Sequence, residues 1–190
     1  MARAGLTRDR VAQAGAELAD EIGFDQVTVS ELARRVGVRT ASLYSHVRGS
    51  DDLRTEIALL ALEEMADAAA DAVAGRAGRD ALVAFADVYR GYARAHPGRY
   101  AASHLRLDDA TAAASAGVRH AEMTRAILRG YDLTGVDQTH GVRLIGSTVH
   151  GFVDLEASGG FDHSEPGADV SWTRILDALD ALLRSWPAAG

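Results

Sequence analysis

The sequence predicts an all-α protein. Apolar residues recur at three- and four-residue intervals in nearly every segment between glycine or proline breaks, and strand-like alternation is scarce. The 190 residues include 37 alanines, which carry the smallest entropic penalty in a helix, and only three prolines, Pro97, Pro166 and Pro187. Aromatic residues at 6% argue against a β-sandwich.

The first helix spans about Thr7 to Ile22. Thr7 suits the N-cap, Val11, Ala14, Leu18 and Ile22 form an inner stripe, and Gly23 ends it. Two short helices follow in quick succession. Thr28 or Ser30 can cap the first, which carries Val29, Leu32, Ala33 and Val36 and breaks at Gly37; the second starts near Thr40 and presents Leu43 and Val47. At Gly49-Ser50-Asp51-Asp52 another helix begins, with Ser50 as cap and two acids in the first turn, where the helix dipole favours them. It reaches about Ala74, and after a turn over 75–78 the next runs from Arg79 to Ala95. His96-Pro97-Gly98 is a break that can begin a short helix through about His104. Helices from about Asp109 to Gly130 and from Asp137 to Ala157 come next. Residues 158–169, with Gly159, Gly160, Pro166 and Gly167, are expected to form a mobile loop. A last helix from about Val170 to Trp186 is stopped by Pro187.

Composition removes several classes of function. Without cysteine there is no disulfide scaffold, thiolate zinc site or cysteine nucleophile. The longest apolar run, Ile57 to Leu62, is far below the roughly 18 residues of a membrane span, and the first ten residues hold no apolar signal core. A cytoplasmic protein without membrane association is expected. The net charge of −7 argues at first against a nucleic-acid partner, because phosphate contacts are dominated by Lys and Arg. Its distribution reverses the argument. Residues 1–54 hold eight Arg and eight acids, net zero, whereas 55–190 hold twelve Arg and nineteen acids, net −7. Between Glu31 and Asp51 stand Arg34, Arg35, Arg39 and Arg48 and no acid at all.

The same segment has the spacing of a helix-turn-helix. Ala33 is small where two helices must cross, and Gly37 suits a tight turn that wants a positive φ. Leu32, Val36, Val38 and Leu43 would bury against the first helix. The face left over, Thr40, Ser42, Tyr44, Ser45 and His46, is polar. An arginine-bearing helix pair with such a face is the footprint of a major-groove reader.

Residues 23–47, with Gly23-Phe24 ahead of Thr28 and Leu43-Tyr44-Ser45-His46 ahead of the next helix, closely resemble the DNA-binding domain of the tetracycline-repressor family; the likeness covers about 7–60. The segments His96-Pro97-Gly98-Arg99-Tyr100 and His150-Gly151-Phe152-Val153-Asp154-Leu155-Glu156 are similar to the effector domain of a subgroup with a Trp/His-Gly motif. The resemblance implies an all-helical homodimer. A three-helix DNA-binding domain would occupy 1–48, with the helix-turn-helix at 29–48, and a larger helical ligand-binding and dimerisation domain 49–190. It implies double-stranded operator DNA and a small-molecule effector as partners, and no cofactor or metal. Carried over residue by residue, Thr28 would cap the second helix near a phosphate, Arg39 and Thr40 would begin the recognition helix, and Ser42, Tyr44 and His46 would face bases or backbone, with Ser45 and Arg48 beside them. There are two departures: Ser50 stands where many members have Lys, and Val47 where most have Phe. Contacts from an N-terminal arm would depend on Arg3.

In the larger domain, Trp172, Ile175, Leu176, Leu179, Leu182, Leu183 and Trp186 make one face of the last helix apolar. Val142, Ile145, Val149, Phe152 and Val153 do the same on the helix before it, where Gly141, Gly146 and Gly151 would admit a close neighbour. Both stripes suit core helices of one subunit. The resemblance favours a four-helix dimer interface built by Val142, Ile145, Val149, Phe152, Trp172, Ile175, Leu176, Leu179, Leu182 and Leu183. Two recognition helices would then lie about 34–36 Å apart, which predicts a pseudo-palindromic operator. Phe85, Tyr89, Tyr92, Tyr100, His104 and His150 combine apolar area with a polar tip and are the candidate pocket residues, although each type also serves as ordinary core. Arg90 and Arg94 are expected at the surface.

Two rival functions carry less of the sequence. An enzyme would want a nucleophile elbow, a phosphate-binding glycine loop or a His-Glu-x-x-His motif, and none is present. His150 and Asp154, four apart on one helix, could seat a metal but supply only two ligands. A helical interaction module without DNA binding leaves the arginine cluster without an explanation.

Overall fold

The computed structural model describes residues 6–186, so Arg3 and the helix stop at Pro187 lie outside the described residues. Its helices are α1 (Arg8–Ile22), α2 (Val29–Val36), α3 (Thr40–Leu43), α4 (Ser50–Val73), α5 (Gly78–Ala95), α6 (Pro97–Ser103), α7 (Asp109–Ala114), α8 (Gly117–Arg129), α9 (Gly135–Ala157) and α10 (Ala168–Arg184), with a 3₁₀ turn at Phe24–Gln26. No strand occurs among the described residues, and none of these helices is long and apolar enough to cross a membrane. The chain divides into two compact units. One comprises 1–64 and 95–116, the other 65–94 and 117–190.

In the first unit the sequence signals act as expected. Thr7 Oγ1 accepts from Arg10 N at 3.2 Å to cap α1, and Gly23, at φ 88°, ends it. That turn brings Phe24 into the core, while Ile22 is left exposed. Gly37 takes the left-handed conformation at φ 70°, and Val38 N–H returns to Ala33 O at 3.1 Å, closing α2. Val11, Leu18, Leu32, Ala33, Leu43, Val47, Leu53 and Ile57 form one apolar core. α1 and α4 cross where Gly15 stands, for a Cβ there would lie 2.9 Å from Ile57 Cδ1.

This core does not stop at residue 48. α6 packs on α1 so closely that a Cβ at Gly98 would lie 2.0 Å from the Ala19 carbonyl oxygen. Asp20 accepts from the Arg99 amide at 2.9 Å, and the Arg99 guanidinium reaches Asp20 at 3.0 Å and Glu64 of α4 at 3.1 Å. The expected boundary at 48/49 therefore gives way to a discontinuous unit, because the partners of α1 come from chain far beyond the helix-turn-helix. The single helix expected over Asp109–Gly130 is also two. Asp108 caps α7 through the Ala110 and Thr111 amides, and Ser115, extended at ψ 164°, separates α7 from α8.

The second unit packs α5, α8, α9 and α10 around Leu82, Phe85, Ile127, Leu128, Ile145, Val149, Phe152, Trp172, Leu176 and Leu183. Two findings differ from expectation. Arg90 is buried, not at the surface: its guanidinium lies 5.4 Å from the Phe152 ring centroid and 5.1 Å from that of Trp172, and its Nε donates to Glu156 at 2.9 Å. Arg94, as expected, is half exposed, and it joins the same cluster through Asp169 at 2.9 Å. The stripe Ile145, Val149, Phe152, Trp172, Leu176, Leu179 and Leu183 is buried within its own chain, with Val142 and Ile175 partly so; of the ten proposed dimer residues only Leu182 is exposed, at 46%. An apolar stripe answers the nearest core first, and here that core is intramolecular. The segment after α9 holds turns closed by Gly159 N–H to Glu156 O and Gly160 N–H to Leu155 O, with the Phe161 ring 4.8 Å from Phe152.

Candidate nucleic-acid interface and ligand pocket

α3 is short because it needs only to present one turn. Arg39 precedes it in extended backbone, φ −71° and ψ 139°, and Leu43 and Val47 anchor it in the core. Beyond Leu43 the chain keeps turning, with His46 N–H to Leu43 O at 2.9 Å and Ser45 Oγ to Ser42 O at 2.9 Å. This leaves Arg39, Ser42, Tyr44 and Ser45 exposed, Tyr44 at 55%, and Thr40 and His46 half-buried. Thr28 is half-buried at the head of α2, where its Oγ1 accepts from Glu31 N at 3.1 Å. All eight residues expected to meet DNA thus fall in the same unit, on or beside α2 and α3.

The arginine patch is altered by folding. Acids absent from the linear stretch arrive from other positions: Arg35 pairs with Glu21 at 2.6 Å and Glu17 at 3.2 Å on α1, Arg48 with Asp52 at 3.1 Å on α4, and Arg34 with Glu31 one turn back. Each pair leaves at least one partner open to water, where ion pairs exchange readily, although Asp52 itself is only 10% exposed. Arg39 alone of the four makes no ion pair among the described residues. Two positioning residues escaped the sequence reading. Arg8 donates to the His46 carbonyl at 3.1 Å and to Glu56 at 2.7 Å, pinning the end of the α3 turn to α1 and α4. Ser50 does not act for its own helix as expected: its Oγ accepts the Val29 amide at 3.2 Å, so it serves the start of α2. Ser50 thus ties the start of α4 to the start of α2. Neither was visible beforehand, since each contact spans 21 or more residues.

The second unit holds a cavity of about 170 Å³ between α5, α8 and α9, lined by Phe85, Tyr89, His120, Thr124, Ile145, Gly146 and His150 among others. Three of the six expected pocket residues meet there: Phe85, Tyr89 and His150. The Tyr89 ring centroid lies 4.8 Å from Phe85 and 5.5 Å from His150. Tyr92 does not line it, and Tyr100 and His104 belong to the first unit, where their rings stand 4.8 Å apart. Their chain neighbours on α6 tie them to α1, which no local spacing foretold. His120 was missed; Tyr89 Oη bonds its Nδ1, and burial pushes the Tyr89 phenol upward from its ordinary value, so it stays neutral. The glycines of α9 have separate reasons. Gly141 is required by Leu128, whose Cδ2 would lie 2.8 Å from a Cβ, whereas nothing lies within 4 Å of a Cβ at Gly146 or Gly151.

The sequence matches two family models, bacterial regulatory proteins of the tetR family over residues 12–57 and the tetracyclin repressor-like C-terminal domain over 82–179. It is 32% identical over 187 residues to YobS, an uncharacterized HTH-type transcriptional regulator of Bacillus subtilis, covering 97% of this chain and 92% of that one. It is 33% identical over 169 residues to Rv0681, an uncharacterized HTH-type transcriptional regulator of Mycobacterium tuberculosis, covering 87% and 77%. Its fold superposes on a TetR variant from Acinetobacter baumannii in complex with minocycline with a TM-score of 0.73, at 21% identity, covering 97% of this chain and 99% of that one. With both family models matched and a relative 32% identical over 97% of this chain, the chain belongs to the tetracycline-repressor family of helix-turn-helix transcriptional regulators.

Proposed function

We propose that the protein works as a homodimer that grips a pseudo-palindromic operator through α2 and α3 and releases it when a small molecule occupies the cavity between α5, α8 and α9. The observation that carries the DNA half is the exposed polar turn headed by Arg39, built on a core that fixes it. Arg39, Thr40, Ser42, Tyr44, Ser45 and His46 would contact bases and backbone. Thr28 and Arg48 would contact flanking phosphates, with Arg48 exchanging Asp52 for DNA. The acidic remainder of the chain would repel DNA and help to orient the neutral segment 1–54 toward it.

The dimer is assigned to the outward faces of α9 and α10, since the inward stripes are already covered. Ser147, Gly151 and Leu155 recur every four residues on α9, with Leu155 exposed and open space at Gly151; Ile175, Ala178 and Leu182 follow at intervals of three and four on α10. Coupling would run along α4, one continuous helix shared by both units, and requires only that the effector bind one state more tightly than the other. A regulator acting on operator DNA works in the cytoplasm and has no need of catalysis.

The test is to incubate the purified chain with fragmented DNA of its source organism and sequence what is retained. A discrete operator with two half-sites about one helical turn apart is expected, with affinity falling as salt rises. Recovery of no preferred sequence, or affinity indifferent to salt, overturns the DNA reading. Sedimentation of a monomer at micromolar concentration overturns the dimer.

A further inference from the structure

The cavity carries information about the class of molecule it takes, an inference that rests on reading it as the effector site. No Asp, Glu, Lys or Arg lines it; its polar groups are Tyr89, His120, Thr124 and His150. The arginines of α5 offer it no charge, because Arg90 and Arg94 are both engaged by Glu156 and Asp169. A cation placed there would lose its water without gaining a counter-charge, and an anion would find no charged partner other than the imidazoles of His120 and His150.

Gly146 supplies the second observation. A glycine in a helix interior weakens the helix, and proteins keep one where backbone must come close to something. Gly141, one turn earlier, is accounted for by Leu128, but at Gly146 no protein atom occupies the space a Cβ would enter, and the residue lines the cavity. The missing side chain therefore leaves open space on the cavity side of α9 that a bound molecule can fill. At about 170 Å³ that room suits one six-membered ring with a short substituent, since an engineered apolar cavity of about 150 Å³ in another protein accepts benzene.

The polar end is defined by the Tyr89–His120 bond. Whichever of the two carries the bridging proton, the Tyr89 oxygen keeps a lone pair, so it can accept from a ligand hydroxyl. Thr124 is already turned to the His120 carbonyl at 2.8 Å. We propose that the effector is a small uncharged molecule of one ring bearing one hydroxyl, with the ring against Phe85 and the Gly146 backbone and the hydroxyl on Tyr89.

Three probes of one shape test this by calorimetry on the full chain: benzyl alcohol, benzoate and benzylammonium. Benzyl alcohol is expected to bind at least tenfold more tightly than either ion. Its binding should vanish in Gly146→Leu and weaken in Gly146→Ala, whose thermal stability should be no lower than that of the parent. In Tyr89→Phe, benzyl alcohol should lose several-fold in affinity while toluene is unaffected. If benzoate or benzylammonium binds as well as benzyl alcohol, the uncharged class is wrong and the cavity stands as the site. If no probe binds, or if binding persists undiminished in the two Gly146 variants, the cavity itself is not the effector site.

Discussion

Arg35 and Arg90 each hold two carboxylates, one in each unit, and the same chemistry serves opposite ends. Arg35 meets Glu17 and Glu21 at the surface, where those carboxylates are 44% and 54% exposed; Arg90 is 8% exposed, flanked by two aromatic rings, and its main partner Glu156 is 16% exposed. A surface pair in water is worth little and is readily surrendered to a phosphate. A buried pair is costly to break because the abandoned charge stays buried. Arg35, on the DNA-reading helix pair, is thus exchangeable, whereas Arg90 in the ligand-binding unit is fixed, as Arg99 is between α1 and α4.

The sharpest way to break this contrast is to remove Glu156. Glu156→Ala leaves Arg90 without its principal partner and should cost about 3–5 kcal/mol in denaturant unfolding, the range for a broken buried pair. A loss below about 1 kcal/mol would place Arg90 in the same class as Arg35. Acid gives an independent check. The hydrogen bond from Arg90, joined by Arg94, holds the Glu156 carboxyl below its ordinary value of 4.5 against the opposing effect of burial. A carboxylate depressed in the folded state contributes stability that is complete above the unfolded value and is lost as pH falls through the folded one. The unfolding midpoint should therefore drop as pH falls below about 4.5, and less steeply in Glu156→Gln.

Next in size come the residues that the contrast assigns to DNA alone. Arg39→Ala and Tyr44→Ala should each weaken operator binding by about 1–3 kcal/mol if they meet base edges, and leave folding within about 0.5 kcal/mol of the parent, because both side chains are exposed. Titration of each variant against the recovered operator, beside its unfolding curve, separates the two effects. An unchanged affinity would remove that residue from the interface.

How much of this the sequence disclosed follows the same division between local and distant. The caps at Thr7 and Thr28, the turn at Gly37 and the buried set Leu32, Ala33, Leu43 and Val47 are decided within a few residues, and the linear pattern displays them. What failed was three-dimensional. The acid-free stretch acquires Glu17 and Glu21 because α1 lies alongside α2. Tyr100 and His104 follow α6 onto α1 and away from the cavity. His120 is one polar residue on a helix without other aromatic groups, and nothing in its spacing links it to Tyr89, 31 positions earlier. Arg90 is buried because Phe152 and Trp172, more than 60 residues away, close over it. The apolar stripes of α9 and α10 were legible as stripes, but a stripe does not say which surface will cover it.

Smaller effects test whether α2 is fixed from inside its own unit. Thr28 accepts from the Glu31 amide and Ser50 from the Val29 amide, so two of the donors left open at the start of α2 are satisfied by hydroxyls from different places in the chain. Thr28→Ala and Ser50→Ala should each cost about 1 kcal/mol of stability. If the two substitutions together cost clearly less than their sum in a thermal melt, losing one hydroxyl already forfeits the other and the two do not cap α2 independently.

The smallest expected effect bears most directly on exchangeability. In a double-mutant cycle Arg35→Ala and Glu21→Ala should couple only weakly, and less at high salt, since the carboxylate is open to water. Binding should respond in the opposite sense. Glu21→Gln takes away the strongest competitor for the Arg35 guanidinium, whose hydrogen bond now holds the Glu21 carboxyl below its ordinary value. Operator affinity in that variant should rise and its salt dependence steepen, as expected when one more guanidinium becomes available to phosphate. An affinity that falls would mean that Glu17 and Glu21 hold Arg35 in place for DNA, which would make the pair in the DNA-reading unit a fixed device like that of Arg90.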